Sequence, residues 1–148
     1  MYIQDLAPYN YGLSKALPNV LAVGWLDKGY PFATGNAPAD FIPKLKEVIA
    51  REDVNVMRGI HKCHFCDRDD FIKLDHDGQS IVLGHAEVWV PDSEGQLIFA
   101  APSLIYHYVV EHHYLPPQTY IEAIRSFRVD SNWNGELICE QLTKSAYE

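Results

Sequence analysis

The sequence predicts an α+β fold in a single domain over residues 1–148: a small mixed sheet with one packed helix, joined to a lobe organised around a metal site. Three observations predict it. Short apolar runs bounded by turn residues indicate strands, one segment repeats its apolar residues at helical spacing, and a Cys-x-x-Cys pair precedes further strands and a helix. A chain of this length buries roughly 68–70% of its unfolded surface, so a stable core does not require disulfides.

The amino-terminal part is predicted to form a strand–helix–strand lobe over residues 19–58. Residues 1–18 show neither a helical nor a strand period and are expected to be an irregular arm. The apolar run 20–26 indicates a buried strand, and the turn residues after it favour a hairpin with 30–32. A further strand is expected at 54–57.

A helix is predicted at 40–51, between these strands. Asp40 is placed to cap it, and Pro43 is tolerated in its first turn. The apolar residues that recur at helical spacing, and so predict the face that packs on the sheet, are Phe41, Ile42, Leu45, Val48 and Ile49.

Residues 59–126 are predicted to form the metal-binding lobe. Three strands are expected after the Cys pair, at 71–74, 81–90 and 97–100. Glycine-containing turn sequences separate these strands and favour a β-meander.

Two helices are expected after the strands. The first covers 104–114 and stops before Pro116, and the second begins at Pro117 and runs to Phe127. The C-terminal tail, 127–148, contains a predicted loop and a final segment without a clear period.

Cys63 and Cys66 carry the most specific local signal. Two thiolates separated by two residues can wrap one ion, and Zn²⁺ prefers four soft or borderline ligands in a tetrahedron. His107 and His112 supply the second pair, because their His-x4-His spacing is one that helical zinc ligands use. The sequence therefore predicts one structural zinc ion held by these four residues.

Helix geometry leaves the fourth ligand open. On an ideal helix His107 and His112 lie about 140° apart, so both reach one ion only if the last turn loosens. Pro116 favours that loosening. His113 lies about 120° from His107 in the other sense and is the rival ligand.

The order of elements is that of a treble-clef zinc site: a Cys-x-x-Cys knuckle, a β-hairpin and a helix with the second ligand pair. The strands 81–90 and 97–100 and the helix from 103 follow this order. A redox role for the Cys pair is disfavoured, since that motif follows a strand and opens a helix. Cys139 stands alone in the tail and is expected to be a small buried apolar residue.

His85 and Glu87 are the catalytic candidates of an alternative hypothesis, a metal-dependent hydrolase or nuclease. In a continuous strand 81–90 the two side chains share one face about 7 Å apart, as a base and the group that orients it would. The competing interpretation places them at a partly exposed sheet face or behind a zinc ligand. The acidic composition favours this second interpretation.

The charge balance indicates the kind of partner. The chain has 20 acidic and 12 basic side chains, a formal net charge of −8 and a pI near 5.3. Nucleic acid is disfavoured, because its binding relies on Lys and Arg at phosphates, so a basic protein is the expected partner. No apolar run reaches the ~18–20 residues of a membrane helix and the first ten residues do not resemble a signal peptide, which predicts a cytoplasmic protein without membrane association.

Several short motifs together resemble a family of small, uncharacterised bacterial proteins, over roughly residues 19–126. The motifs are Val23-Gly-Trp-Leu26, Gly59-x-His-x-Cys63-x-x-Cys66, Gly84-x-Ala-Glu87, Ala100-Ala-Pro102-x-Leu-Ile-x-His107-Tyr and His112-x-Tyr-x-Pro-Pro117. The resemblance implies a zinc site at the two Cys with His107 and His112, and it favours His112 over His113. It leaves the arm and the tail outside the family and implies no activity.

The sequence thus predicts a non-enzymatic bacterial protein with a structural zinc that acts through protein–protein interaction. Its most concrete form is an immunity or antitoxin-like protein that masks a basic toxin. A hydrolase or nuclease that uses His85 and Glu87 is the alternative, and a transcriptional or RNA-associated zinc module is a third, weaker hypothesis. Four protein ligands leave no open metal position for water, which favours the first hypothesis.

Overall fold

A mixed four-stranded sheet and a separate two-stranded hairpin form the framework of the protein in the computed structural model, which describes residues 1–146. In chain order the elements are β1 (Pro8–Tyr9), β2 (Leu17–Ala22), α1 (Phe41–Arg51), β3 (Lys73–His76), β4 (Gln79–Val82), β5 (Glu87–Pro91), β6 (Ile98–Pro102), α2 (Ile105–His112), α3 (Gln118–Ser126) and α4 (Gly135–Ala146). The sheet order is β1-β2-β6-β5, with β2 and β6 parallel and the other pairs antiparallel. The predicted α+β class with a mixed sheet is confirmed.

Alternation along the strands sends side chains into two cores on opposite faces of the sheet, as β5 shows. Val88 and Val90 of β5 belong to the core that α1, α2 and α3 cover. Trp89, between them, belongs to a second core together with Tyr9 from β1 and Cys139 from α4. The sheet is therefore covered by helices on one face and by the N-terminal segment and α4 on the other.

The helix α1 begins at Phe41, close to where its pattern predicts, and buries most of the predicted stripe. Asp40 makes no side-chain hydrogen bond to the helix start, contrary to the expected cap. Its carboxylate instead accepts a hydrogen bond from Arg125 Nε at 3.0 Å, which ties the start of α1 to the last turn of α3.

The expected hairpin between 20–26 and 30–32 is wrong. The two edges of β2 are taken by β1 and β6, so no edge of this strand is left for 30–32. The N-terminal residues expected as an irregular arm contribute β1 and bury Ile3 and Tyr9 against the sheet.

The strand expected at 81–90 is interrupted at Gly84, which has a φ of +106°. β4 ends before this glycine and pairs with β3, whereas β5 begins after it and pairs with β6. The predicted β-meander is therefore wrong, because its strands lie in two different sheets. β5 and β6 nevertheless pair as an antiparallel hairpin between the Cys pair and α2, so the predicted order of knuckle, hairpin and helix is kept.

The strand expected at 54–57 is reduced to a single bridge between Val54 and Glu87. Asn55 adopts a φ of +52°, which ends the extended conformation after one residue. The segments 19–58 and 59–126 nevertheless share one sheet, because β2 pairs with β6.

The C-terminal tail contributes α4, whose start is capped by Asn134. Its Oδ1 accepts a hydrogen bond from the Leu137 N–H at 3.0 Å. Cys139 is 3% exposed, as expected for a small buried residue. Residues 147–148 of the tail lie outside the described residues. Of the helices in the described part of the chain, none has the length and apolar character needed to cross a bilayer.

Candidate metal centre

Cys63, Cys66, His107 and His112 converge on one point, and one ligand atom from each lies within 4.8 Å of all the others. His112 Nε2 is 3.3 Å from Cys63 Sγ and 3.2 Å from Cys66 Sγ. His107 Nε2 is 3.2 Å from Cys66 Sγ. This cluster of two thiols and two imidazoles can hold a metal ion.

The donor set fits the chemistry of zinc. Zn–S bonds of ~2.3 Å and Zn–N bonds of ~2.0–2.1 Å at tetrahedral angles place sulfur and nitrogen about 3.5 Å apart. The observed separations of 3.2 and 3.3 Å are slightly shorter, so a small outward shift of the ligands would seat the ion. Within residues 1–146, no second group of His, Cys, Asp or Glu forms such a cluster.

The end of α2 decides between His112 and His113. His113 has a φ of +58°, and its N–H bonds to the Tyr108 carbonyl five residues back, which also accepts the Tyr114 N–H at 3.1 Å. This wide final turn is the loosening that His107 and His112 require to share one ion. His113 is exposed and outside the cluster, so His112 is the residue that the structure brings together with the others.

Backbone contacts place the Cys pair against the sheet. The His61 N–H donates to the Gly84 carbonyl at 2.8 Å, and the Gly84 N–H donates to Ser103 Oγ at 2.9 Å. A Cβ at Gly84 would overlap the His61 carbonyl oxygen. No structural role was predicted for Gly84, although a glycine inside an apolar strand pattern is a signal of close backbone approach.

The ligands lie in an apolar, aromatic environment. Cys63 is 6% exposed and His107 is 3% exposed, and the Phe65 ring packs on the His112 ring at 5.5 Å. Burial raises the pKa of the Cys63 thiol to about 11, and burial with the neighbouring His112 lowers the pKa of His107. The neutral imidazole is the form that binds metal, and a bound cation favours loss of the thiol proton.

Glu87 is buried and hydrogen-bonded on both oxygens. Tyr9 Oη donates to Oε2 at 2.9 Å, Asn55 Nδ2 donates to the same oxygen at 2.6 Å, and Trp89 Nε1 donates to Oε1 at 3.0 Å. The residue is 1% exposed, and this burial raises the pKa of its carboxyl group. None of these three donors was predicted from the sequence. Tyr9 and Asn55 lie in distant segments of the chain, and nothing in the pattern of β5 indicates that the Trp89 side chain bonds to Glu87.

His85 lies in the break between β4 and β5, so the expectation that it shares a strand face with Glu87 is wrong. Its Nδ1 is buried and has no hydrogen-bond partner among residues 1–146. The two side chains form no hydrogen bond with each other in that part of the chain, and the positive φ of Gly84 between the strands is the physical reason. The geometry therefore does not assemble a base and its orienting group.

Comparison with known proteins places the chain in a family without a described activity. No curated protein and no solved structure matches it. A family described as a domain of unknown function (DUF7919) matches residues 1–125, so the matched span includes the N-terminal arm that the sequence analysis had left outside and ends before α4. The chain belongs to this family, the domain of unknown function DUF7919.

Proposed function

We propose that this protein is a non-enzymatic, zinc-stabilised protein of the bacterial cytoplasm that acts by binding a basic protein. The observation that carries the proposal is the four-residue cluster of Cys63, Cys66, His107 and His112. Four protein ligands complete a tetrahedral zinc and leave no position for a reacting water, which is typical of structural sites.

A structural role agrees with where the ligands lie. The two Cys belong to a segment without helix or strand, whereas His107 and His112 belong to α2. A metal ion would join partners 41 to 49 residues apart in the chain. Because such a site does not preform in the unfolded chain, its binding free energy stabilises the folded state directly.

The acidic surface supports a basic partner. The exposed residues after the Cys pair concentrate this charge in Asp67, Asp69, Asp70, Asp75 and Asp77. Two basic residues of the same stretch, Arg68 and Lys73, offset part of it, and Arg68 is already paired with Asp70 at 2.6 Å. An immunity or antitoxin-like protein that masks a basic toxin is the concrete form of this proposal.

Metal analysis tests the claim that the protein holds a structural zinc ion. We expect one zinc ion per purified chain, and its removal by a strong chelator should lower the melting temperature of the protein. A protein that is metal-free as purified and keeps its melting temperature with chelator would refute this claim.

Co-expression tests the partner. We expect the chain to co-elute with a basic protein encoded beside it in its genome, and the complex to weaken as salt is raised. Turnover of nucleic acids or esters by the metal-loaded protein, lost in His85→Ala with the fold intact, would support the hydrolase alternative instead.

A further inference from the structure

A cavity of about 50 Å³ lies beside the metal centre and plays no part in holding the ion. It has room for a few water molecules or one small head group. The residues of its lining that bear on its chemistry are Tyr11, Trp25, Met57, Lys62, Glu87 and Tyr108. They come from five separate parts of the chain, so the cavity exists only in the folded protein.

Glu87 is a buried acid without a cation. Its three hydrogen-bond donors, on Tyr9, Asn55 and Trp89, are neutral groups. No Lys, Arg or His side chain in the described part of the chain forms an ion pair with it. Glu136 adds a second negative charge near it. Buried carboxylates are normally paired, because an uncompensated charge in a low-dielectric environment is unfavourable.

The carboxylate also retains capacity to accept a further bond. Two carboxylate oxygens offer about four acceptor positions, and the three donors occupy three of them. The electrostatic effect of Glu87 reaches the Tyr11 hydroxyl, whose pKa is raised by burial and by this neighbouring charge. The Glu87 carboxylate, when ionised, therefore acts at the cavity wall, and a cation bound there would favour the ionised form.

Aromatic side chains form much of that wall. The Tyr11 and Trp25 rings stack with centroids 4.9 Å apart. Tyr108 is 5% exposed and belongs to the same lining. Aromatic faces attract cations through their quadrupole, and a phenol oxygen can accept a hydrogen bond from an N–H donor.

The basic groups of the lining are those of Met1, His61, Lys62 and His64, and each has a partner other than Glu87. His61 Nε2 lies 3.0 Å from Tyr11 Oη. Lys62 Nζ donates to the Asp69 carbonyl at 3.3 Å. Asp27 accepts from the Met1 amino group at 3.3 Å and contacts His64 Nδ1 at 2.6 Å. The lining therefore supplies no cation to the buried glutamate, and the acidic molecule as a whole attracts cations from solution.

We infer that this cavity binds the head group of a small organic cation, an alkylammonium or guanidinium group, with Glu87 as its counter-charge and the Tyr11 and Trp25 pair beside it. The inference deepens the proposed function and rests on it only for the source of the cation. A basic partner would insert a lysine or arginine side chain, and a free amine is the other source.

Calorimetric titration of the metal-loaded protein tests the inference. The probes are methylguanidinium and methylurea, a neutral compound of almost the same shape, both at low millimolar concentration. We expect saturable 1:1 binding of methylguanidinium and none of methylurea. Glu87→Gln, which removes the charge and keeps the size, should weaken binding by about tenfold or more, whereas Glu94→Gln, the same change at an exposed site, should not.

Equal binding of the two probes would overturn the inference, and so would unchanged affinity in a folded Glu87→Gln protein. If that variant does not fold, Tyr108→Phe and Trp25→Phe replace it, and unchanged affinity in both is the contrary result. A blocked Gly-Arg-Gly peptide distinguishes the two sources of the cation. If the peptide binds more tightly than methylguanidinium, the cation is a side chain of a partner protein. If it binds more weakly, the cation is a free small molecule. The titration contains no partner protein, so its failure is distinct from failure of the co-expression experiment.

Discussion

The His61 N–H donates to the Gly84 carbonyl over 2.8 Å, and this bond joins the segment before the metal ligands to the break between β4 and β5. The two backbones come so close that a side chain at Gly84 would overlap the His61 carbonyl oxygen. Gly84 also has a φ of +106°, which L side chains rarely adopt. The position of Cys63 and Cys66 thus depends on a residue that is not itself a ligand.

Gly84→Ala should lower both stability and metal affinity. Positive φ and backbone overlap act together at this position, and we expect a loss of about 2–4 kcal/mol in the free energy of unfolding. Gly78→Ala is the matched control, because Gly78 has a φ of +76° but open space around it, and should cost only about 1 kcal/mol. Urea unfolding and zinc competition with a chromophoric chelator measure the two effects. Equal losses in the two variants would contradict this account.

His112→Asn should abolish stoichiometric zinc binding, whereas His113→Asn should leave it intact. The neighbouring position is a suitable control, because asparagine tolerates the left-handed conformation of residue 113. We expect the melting temperature of the first variant to fall to that of the chelator-treated protein. Metal analysis and thermal unfolding give the result, and zinc loss in the His113 variant would show that the ligand assignment is incorrect.

The three Cys should react with a thiol reagent in stages. In the zinc-loaded protein none should react, because Cys63 and Cys66 are metal ligands and Cys139 is 3% exposed with a pKa raised by burial to about 12. Removal of zinc under conditions that keep α4 folded should release two thiols, and denaturant should release the third. Rapid reaction of two thiols before chelator is added would argue against metal ligation by the Cys pair.

Glu52→Gln should stabilise the protein at pH 8 but not at pH 4. Burial and the neighbouring Asp53 raise the folded-state pKa of Glu52 to about 7. The unfolded chain ionises near pH 4.5, so stability is lost as the pH rises from about 4.5 to 7. Because the residue is only partly buried, the gain at pH 8 is about 1 kcal/mol.

The control for this pH dependence is Glu94→Gln, which removes the same charge from an exposed position. It should shift stability by no more than a few tenths of a kcal/mol at either pH. Chemical unfolding at both pH values measures the difference, and a Glu52→Gln effect that does not change with pH would exclude ionisation as its cause.

Local spacing was sufficient to predict the residues of the candidate metal cluster and most helices. Cys-x-x-Cys and His-x4-His are patterns within a few residues, and the apolar stripe of α1 repeats within one helix, so neither depends on distant contacts. The choice of His112 over His113 required the backbone at the end of α2, since both spacings are compatible with zinc.

Tertiary structure alone decided which strands pair and how Glu87 is buried and hydrogen-bonded. The pairing of β2 with β6 joins residues almost eighty positions apart, and three segments converge on one carboxylate. A strand pattern shows which residues are apolar but not which edge of the strand is already paired. The glycine in the pattern signals a close backbone approach, but it does not show that the approaching backbone is that of His61. The candidate ligand set therefore follows from local chemistry, whereas the buried acid and its cavity follow from long-range packing.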